Sequence, residues 1–389
     1  MTFHVRLVLL IAAVLAACSS AVGAAATESS AVNPRPDHAV EPATVRRDSV
    51  RVFVSGHSLT DQPLPTYLAQ VATSLGAPIE WNRQYMVGSA IKHRTRGRDR
   101  QDGWAGYSMG ANREGEGMNV IEELRRRPYD VLIITEQHGV IDSLVWHDTL
   151  RYLRHFHERF VAGNPRGRTY FFEPWLGIPG KSEVRRWIAY ERAASPLWQC
   201  LATRINTSLA AERRSDRIAP LPAGVALAEL VERAMQRGGV QGITAPSERE
   251  TLDRLFHDNV HLTPLGSYYI ALVAYATVFE RSPLGAWAPD GVSQTQAAAL
   301  QRVAGEAVAR HRAEHRPLTL DQCRAVLNGP FKNLYFNHVR DDYWAKQDAS
   351  MRMTWRRFKQ TYKTHWRLWR DDLFGYDASS DAGYWLPPP

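Results

Sequence analysis

Two short clusters, about two hundred positions apart in this 389-residue chain, hold the residue types that together cleave esters. The first is Ser55-Gly56-His57-Ser58-Leu59-Thr60-Asp61, directly after the apolar run Val50-Arg51-Val52-Phe53-Val54. The second is His257-Asp258-Asn259-Val260-His261-Leu262-Thr263-Pro264-Leu265-Gly266. A serine hydroxyl becomes a nucleophile when an imidazole takes its proton and a carboxylate orients that imidazole. Asp258 and His261 could supply both from a single turn, since i,i+3 neighbours share a face when the turn is helical. Each cluster also has a plainer reading. Ser-rich turns follow many strands, and Asp258 could simply cap the helix that begins at Leu265, with His261 in solvent. The joint occurrence favours chemistry.

Such residues need elements to bring them together. Val50–Val54, Ile79–Val87, Tyr129–Thr135 and Thr169–Phe172 read as strands, and Val131-Leu132-Ile133-Ile134 is apolar on both faces, as in a buried parallel sheet. Between them, Pro65–Leu75, Met118–Arg126 and Asp148–Val161 read as helices. Glu183–Arg214, Ala226–Arg237 and Leu265–Phe279 read as helical further on. Strand alternating with helix predicts an α/β fold, a parallel sheet covered on both faces. Ligands of such sheets bind beyond the carboxyl ends of the strands. Ser58, Gly88, Gln137 and Glu173 each fall just past a strand. The polar stretch Lys92–Gly117 is long for a connector and reads as a substrate-facing excursion.

With these blocks in this order, the chain resembles the SGNH/GDSL hydrolases. Gly56-His57-Ser58-Leu59 matches that family's first block, Val87-Gly88-Ser89 its second, Thr135-Glu136-Gln137-His138 stands where the third should be, and Asp258-Asn259-Val260-His261 matches the last. The resemblance covers Val50 to Phe279. It implies a three-layer α/β/α flavodoxin-like parallel sheet, here followed by an α-helical C-terminal extension. It implies Ser58 as nucleophile, His261 as general base and Asp258 as its orienter. It implies an oxyanion hole from the backbone N–H groups of Ser58 and Gly88 and a side-chain amide. Two departures stand out: His57 replaces the first block's usual Asp, and Gln137 is the nearest amide to the missing third-block Asn. Glu136 beside it would repel an oxyanion unless turned away. Glu173, Trp175 and His138 are possible substrate-binding residues. Trp175 is either a core or rim aromatic or a sugar-stacking one, and His138 either contacts the site or is exposed.

Composition adds location and partners. Arg6, the apolar run Leu7–Leu15 and then Ala16-Ala17-Cys18 read as a secretory signal, too short to span a membrane as a helix. Leu15-Ala16-Ala17-Cys18 resembles the bacterial lipobox, which implies a lipid on Cys18 and a membrane-anchored envelope protein. Ser19 by analogy favours the outer membrane. The alternative is an ordinary signal in which Cys18 is incidental. Residues 19 to about 47, rich in Ala, Ser, Thr and Pro, read as a tether. The net charge of +8 suits anionic surfaces, and no nucleic-acid motif is present. Cys200 and Cys323, an even pair after Cys18, form either one disulfide or two buried thiols. No metal-ligand spacing is legible, since His155 and His157 would point apart on a helix; serine hydrolysis of this kind needs no cofactor.

After Pro289 the chain changes character. Ser293–Arg312 reads as a polar helix, and Asn333–Asp372 is dense in aromatic and basic residues, among them Trp344, Trp355, Trp366 and Trp369. Trp355, Phe358 and Tyr362 recur at helical spacing. The expectation is that this stripe packs on the body with its basic face in water; the alternative is a basic aromatic element for a membrane surface or glycan. The last residues, from Gly383, are expected to be loose. The function expected is a serine esterase removing O-acyl groups, above all acetyl, from a glycan or polysaccharide. The alternatives are a lipid or thioester hydrolase, an acyl-transfer partner in exopolysaccharide acetylation, or a non-catalytic glycan-binding lipoprotein.

Overall fold

The computed structural model describes residues 49–98, 103–343 and 351–387. The signal, Cys18, the tether and Trp344 lie outside the described residues. Residues 47–389 form one compact unit, and among the described residues no helix is long and apolar enough to cross a membrane.

Five parallel strands form one sheet: β1 (Val50–Gly56), β2 (Ile79–Tyr85), β3 (Val131–Thr135), β4 (Arg168–Phe172) and β5 (Ile218–Leu221), in the order β2-β1-β3-β4-β5. This is the flavodoxin-like order, in which the chain reverses direction across the sheet at the β1/β3 boundary. The register there pairs Val52 with Val131 and Ser55 with Ile134. Phe53, Val131, Leu132 and Ile134 are buried completely. A strand shielded on both faces requires this continuous apolar composition, and β1 and β3 have it. β5, Ile-Ala-Pro-Leu, escaped the sequence reading: four residues with a proline carry almost no strand signal. It lies at the sheet edge, where a missing N–H is tolerated.

The helices between strands are α1 (Leu64–Ser74), α2 (Ile91–Thr95), α3 (Val120–Arg126), α4 (Val140–Trp146), α5 (Thr149–Gly163) and α6 (Val184–Ala211). After β5 come α7 (Ala223–Met235), α8 (Glu248–Leu255), α9 (Pro264–Phe279) and α10 (Gln294–Glu314). α1 packs with α9 on one face of the sheet, and α3 with α5 and α5 with α6 on the other, giving three layers. α9 is buried on nearly every side, which explains its almost unbroken apolar sequence.

None of the described residues of the excursion after β2 lines the cavity described below. Its start forms α2, and its end folds back beside β2 through paired backbone bonds between Tyr85 and Ala111. There Asn112, Arg113 and Glu114 join Glu80, Trp81 and Arg127 around a cleft of about 510 Å³ that holds no serine, cysteine or histidine.

The extension continues with α11 (Leu320–Asn328), α12 (Pro330–Tyr335) and a helix at Met351–Arg370. Cys323 on α11 is disulfide-bonded to Cys200 on α6. The expected packing of the aromatic stripe is reversed. Trp355, Phe358, Tyr362, Trp366 and Trp369 all face solvent, and Trp369 is 83% exposed. The inner face is made instead by Thr364 and Leu368. Trp146 Nε1 donates to Thr364 Oγ1 at 3.1 Å, and Arg367 stacks on Trp146 while donating to Val145 O. Nor are residues 383–387 loose, the last two positions lying outside the described residues. Arg204, itself buried, pairs with Asp381 and lies over the rings of Tyr384 and Trp385, and Arg151 donates to Tyr384 O.

Candidate active site

Ser58 opens a 3₁₀ turn, Ser58–Thr60, at the carboxyl end of β1. His57, directly before it, is held by two contacts. Leu59 N–H donates to His57 Nδ1, so the imidazole caps the turn as a carboxylate oxygen would. Nδ1 being an acceptor, the ring proton sits on Nε2, which donates to Glu136 O at 2.9 Å. Burial holds the His57 pKa well below the ordinary value, with neighbouring His138 and Arg94 adding to the effect. His57 is therefore a neutral tie between the Ser58 turn and the loop after β3.

Asp258 and His261 occupy a tight loop between α8 and α9, closed by an antiparallel bridge between Phe256 and Leu262. The turn is not helical, as the spacing alone suggested. The Asp258 carboxylate takes the place of a helical carbonyl: its Oδ1 accepts the backbone N–H groups of Val260 and His261, each at 2.7 Å. Its Oδ2 accepts from His261 Nδ1 at 2.6 Å. Burial pushes the Asp258 carboxyl up, but the hydrogen bond from the His261 ring and those two N–H groups outweigh it and hold the pKa at about 2. Asp258 is thus ionised at neutral pH, and the His261 Nε2 lone pair is left to accept a proton.

Ser58 and His261 line one cavity of about 310 Å³, with Leu59, Asp61, Pro63, Trp175, Ser267 and Ile270 among its other walls. Among the described residues, no hydrogen bond joins the Ser58 hydroxyl to His261. Catalytic bonds of this kind are often long without substrate and tighten in the complex. Asp61 on the wall pairs with Arg83.

At the same rim, Gly88 follows β2 in a left-handed conformation, φ +58°, which glycine adopts without Cβ strain. Among the described residues, no acceptor takes the backbone N–H of Ser58 or of Gly88. The Gln137 amide is committed differently from expectation. Its Nε2 donates to Gly88 O at 2.6 Å, so its first role is to hold the Gly88 peptide, leaving one N–H. Glu136 is turned inward and buried. Its carboxylate accepts from Gln137 N, Ile91 N and Thr149 Oγ1. Gly88, Gln137 and His138 do not line the cavity shared by Ser58 and His261. His138 stacks on His57 at 5.3 Å. Burial, with repulsion from His261 behind it, lowers its pKa to about 4 against a bond to the Trp175 backbone.

Two residues expected at the substrate surface lie beneath it. Trp175 is buried, and its Nε1 donates to Val260 O at 2.9 Å. With Ile178 N donating to Asn259 O, it clamps the loop that carries His261. It forms the cavity floor instead of an exposed stacking platform. We expect Trp175→Phe to keep the fold but lower kcat about tenfold with KM little changed, the loss of one positioning bond. An unchanged kcat would remove Trp175 from that role.

Glu173 is wholly inside the body and does not reach the cavity. Its Oε2 accepts from Ser195 Oγ at 2.8 Å, while Oε1 has neither partner nor solvent. Burial raises its pKa to about 8, so it is protonated at neutral pH. The unfolded chain releases that proton near pH 4.5 and the folded chain only near 8. Between those values the unfolded state binds fewer protons, and stability falls as pH rises. Denaturant unfolding at pH 5 and pH 8 should show a smaller difference for Glu173→Gln than for the parent. An equal difference would contradict the buried acid.

Arg94 escaped the sequence reading. It is completely buried, and its guanidinium donates to Ser55 Oγ, to Ser89 O and Oγ, and to Thr135 O. It joins the carboxyl ends of β1 and β3 to the segment after Gly88. Burial lowers its pKa to about 10 against the charge of Glu136.

No family model matches the chain, and no curated protein matches it. Among solved structures, a DUF4886 family protein from Bacteroides uniformis ATCC 8492 is similar with a TM-score of 0.48 at 14% identity, over 70% of this chain and 98% of that one. A protein from Slackia heliotrinireducens, proposed to be an SGNH hydrolase, is similar with a TM-score of 0.33 at 16% identity, over 59% and 98%. The fold assignment rests on strand order and register, and the site on its own geometry.

Proposed function

We propose that the chain is a serine esterase that removes short O-acyl groups, above all acetyl, from a glycan. The observation that carries the reading is the shared cavity of Ser58 and His261, with Asp258 fixed on the far side of the imidazole. In this reading Ser58 Oγ attacks the ester carbonyl and its proton passes to His261 Nε2. The tetrahedral oxyanion is met by the free N–H of Ser58, and that of Gly88, at the same sheet rim but outside the cavity lining, joins it only if the segment after β2 moves in. His261 then protonates the departing sugar hydroxyl. A water molecule, deprotonated by the same nitrogen, releases the acid and restores Ser58. The small cavity suits a short acyl group, and Asp61, Gln62 and Ser267 on its walls offer partners for sugar hydroxyls. The Leu15-Ala16-Ala17-Cys18 sequence supports a lipid-anchored envelope location.

The test is p-nitrophenyl acetate turnover by the purified chain beside Ser58→Ala, followed by acetate release from acetylated polysaccharides. The expected result is Ser58-dependent release that falls as the acyl chain lengthens. Absence of Ser58-dependent turnover at every pH would defeat the enzyme reading and leave a glycan-binding protein. A preference for long acyl chains would favour a lipase.

A further inference from the structure

The helix Met351–Arg370 has a face that the fold does not use. Its inner side is already fixed to α4, where Thr364 bonds to Trp146 and Arg367 to Val145 O. On the outside, Trp355, Phe358, Tyr362, Trp366 and Trp369 follow i, i+3, i+7, i+11 and i+14 spacing. At 100° per residue that places them within an arc of about 80°. All five are exposed large aromatics, between 45% and 83%. Solitary exposed aromatics are ordinary, but a contiguous stripe of five marks an interaction surface.

The charge of this helix indicates the partner. Its sequence, MRMTWRRFKQTYKTHWRLWR, holds five arginines and two lysines and no acidic residue. Some of these cations already lie over the stripe: Lys359 Nζ is 5.2 Å from the Trp355 ring centre, and Arg370 is 4.4 Å from that of Trp366. Aromatic rings at the level of lipid headgroups, flanked by cations that reach phosphate, are how an interfacial helix lies on a bilayer. Seven cations forbid the same helix from crossing it. A second copy would bring seven positive charges against seven. A sugar polymer would need hydroxyl-binding carboxylates or a concave wall, and this face is a single convex helix without acids.

We propose that Met351–Arg370 is an interfacial helix that docks the protein, aromatic stripe down, on an anionic phospholipid surface. This does not depend on the hydrolytic reading, and its failure would leave that reading untouched.

The test uses the full chain carrying Cys18→Ser, mixed with vesicles of phosphatidylglycerol and phosphatidylethanolamine whose acyl chains are brominated. Bromine quenches tryptophans only at bilayer depth, so quenching reports the stripe whether or not the N-terminal segment also binds. The expected result is quenching on anionic vesicles, lost in the triple variant W355F/W366F/W369F. Lys359→Ala with Lys363→Ala should weaken vesicle affinity roughly 30-fold, at about fivefold per cation. All these side chains are exposed, so thermal melts should match the parent. The proposal is overturned by no quenching, by equal quenching in the triple variant, or by equal quenching on phosphatidylcholine alone. It is likewise overturned by a stripe-dependent dimer or by capture on an acidic polysaccharide in the absence of vesicle binding.

Discussion

Replacing His261 with alanine is expected to lower kcat for p-nitrophenyl acetate by roughly 10⁴–10⁶, with Ser58→Ala equally damaging and the double variant no worse than either. The non-additivity follows from their joint action on one proton: once either partner is gone, the other has nothing to do. Asp258→Asn separates orientation from charge. The asparagine keeps an acceptor for the Val260 and His261 backbone N–H groups, so the loop should survive. Its amide can face His261 Nδ1 with an N–H, which drives the imidazole proton to Nε2 and removes the lone pair that Ser58 needs. The expected loss is about 10⁴ in kcat with little change in melting temperature. If all three variants kept the parent's rate, the hydrolysis would have to arise elsewhere.

The second large effect concerns stability. Arg94→Met should destabilise the fold by about 3–5 kcal/mol, because it removes a buried cation and leaves the inward Glu136 carboxylate without its compensating charge. It also strips donors from Ser89 and Thr135 at the ends of the segments that carry Gly88 and Gln137. Activity should therefore fall even where the variant remains folded. Adding Glu136→Gln should recover part of the lost melting temperature, as coupled neighbours do. Additive losses would show that the two charges do not sense each other.

Much of the sheet was legible because a strand buried on both faces has to be apolar throughout, as Val131–Ile134 is. The Ser58 and Gln137 blocks were legible because each follows such a strand, whereas Asp258–His261 follows a helix and was legible only from its residue types and spacing. β5 was not, since an edge strand of four residues with a proline shows no period. Arg94 was hidden for a different reason: an arginine in a polar, Arg-rich stretch looks solvated, and only the packing of α2 under the β1 and β3 ends buries it. Glu173 misled because it follows β4 as a site residue would, yet its side chain turns toward α6, a choice made by tertiary packing. The aromatic helix misled by composition. Its stripe has the spacing of a core-facing surface, and which side faces the body was decided by Trp146 on α4, over two hundred residues away in sequence.

The bond between Cys200 and Cys323 closes a covalent ring whose ends are 123 residues apart in sequence. That ring contains β5 and the entire Asp258–His261 turn, while Ser58 lies outside it. Closing a ring of this size restricts the denatured chain by about 5 kcal/mol. Thiol-reducing surroundings would withdraw that restraint from nucleophile and proton acceptor alike, because β1, outside the ring, and β5, inside it, belong to one sheet.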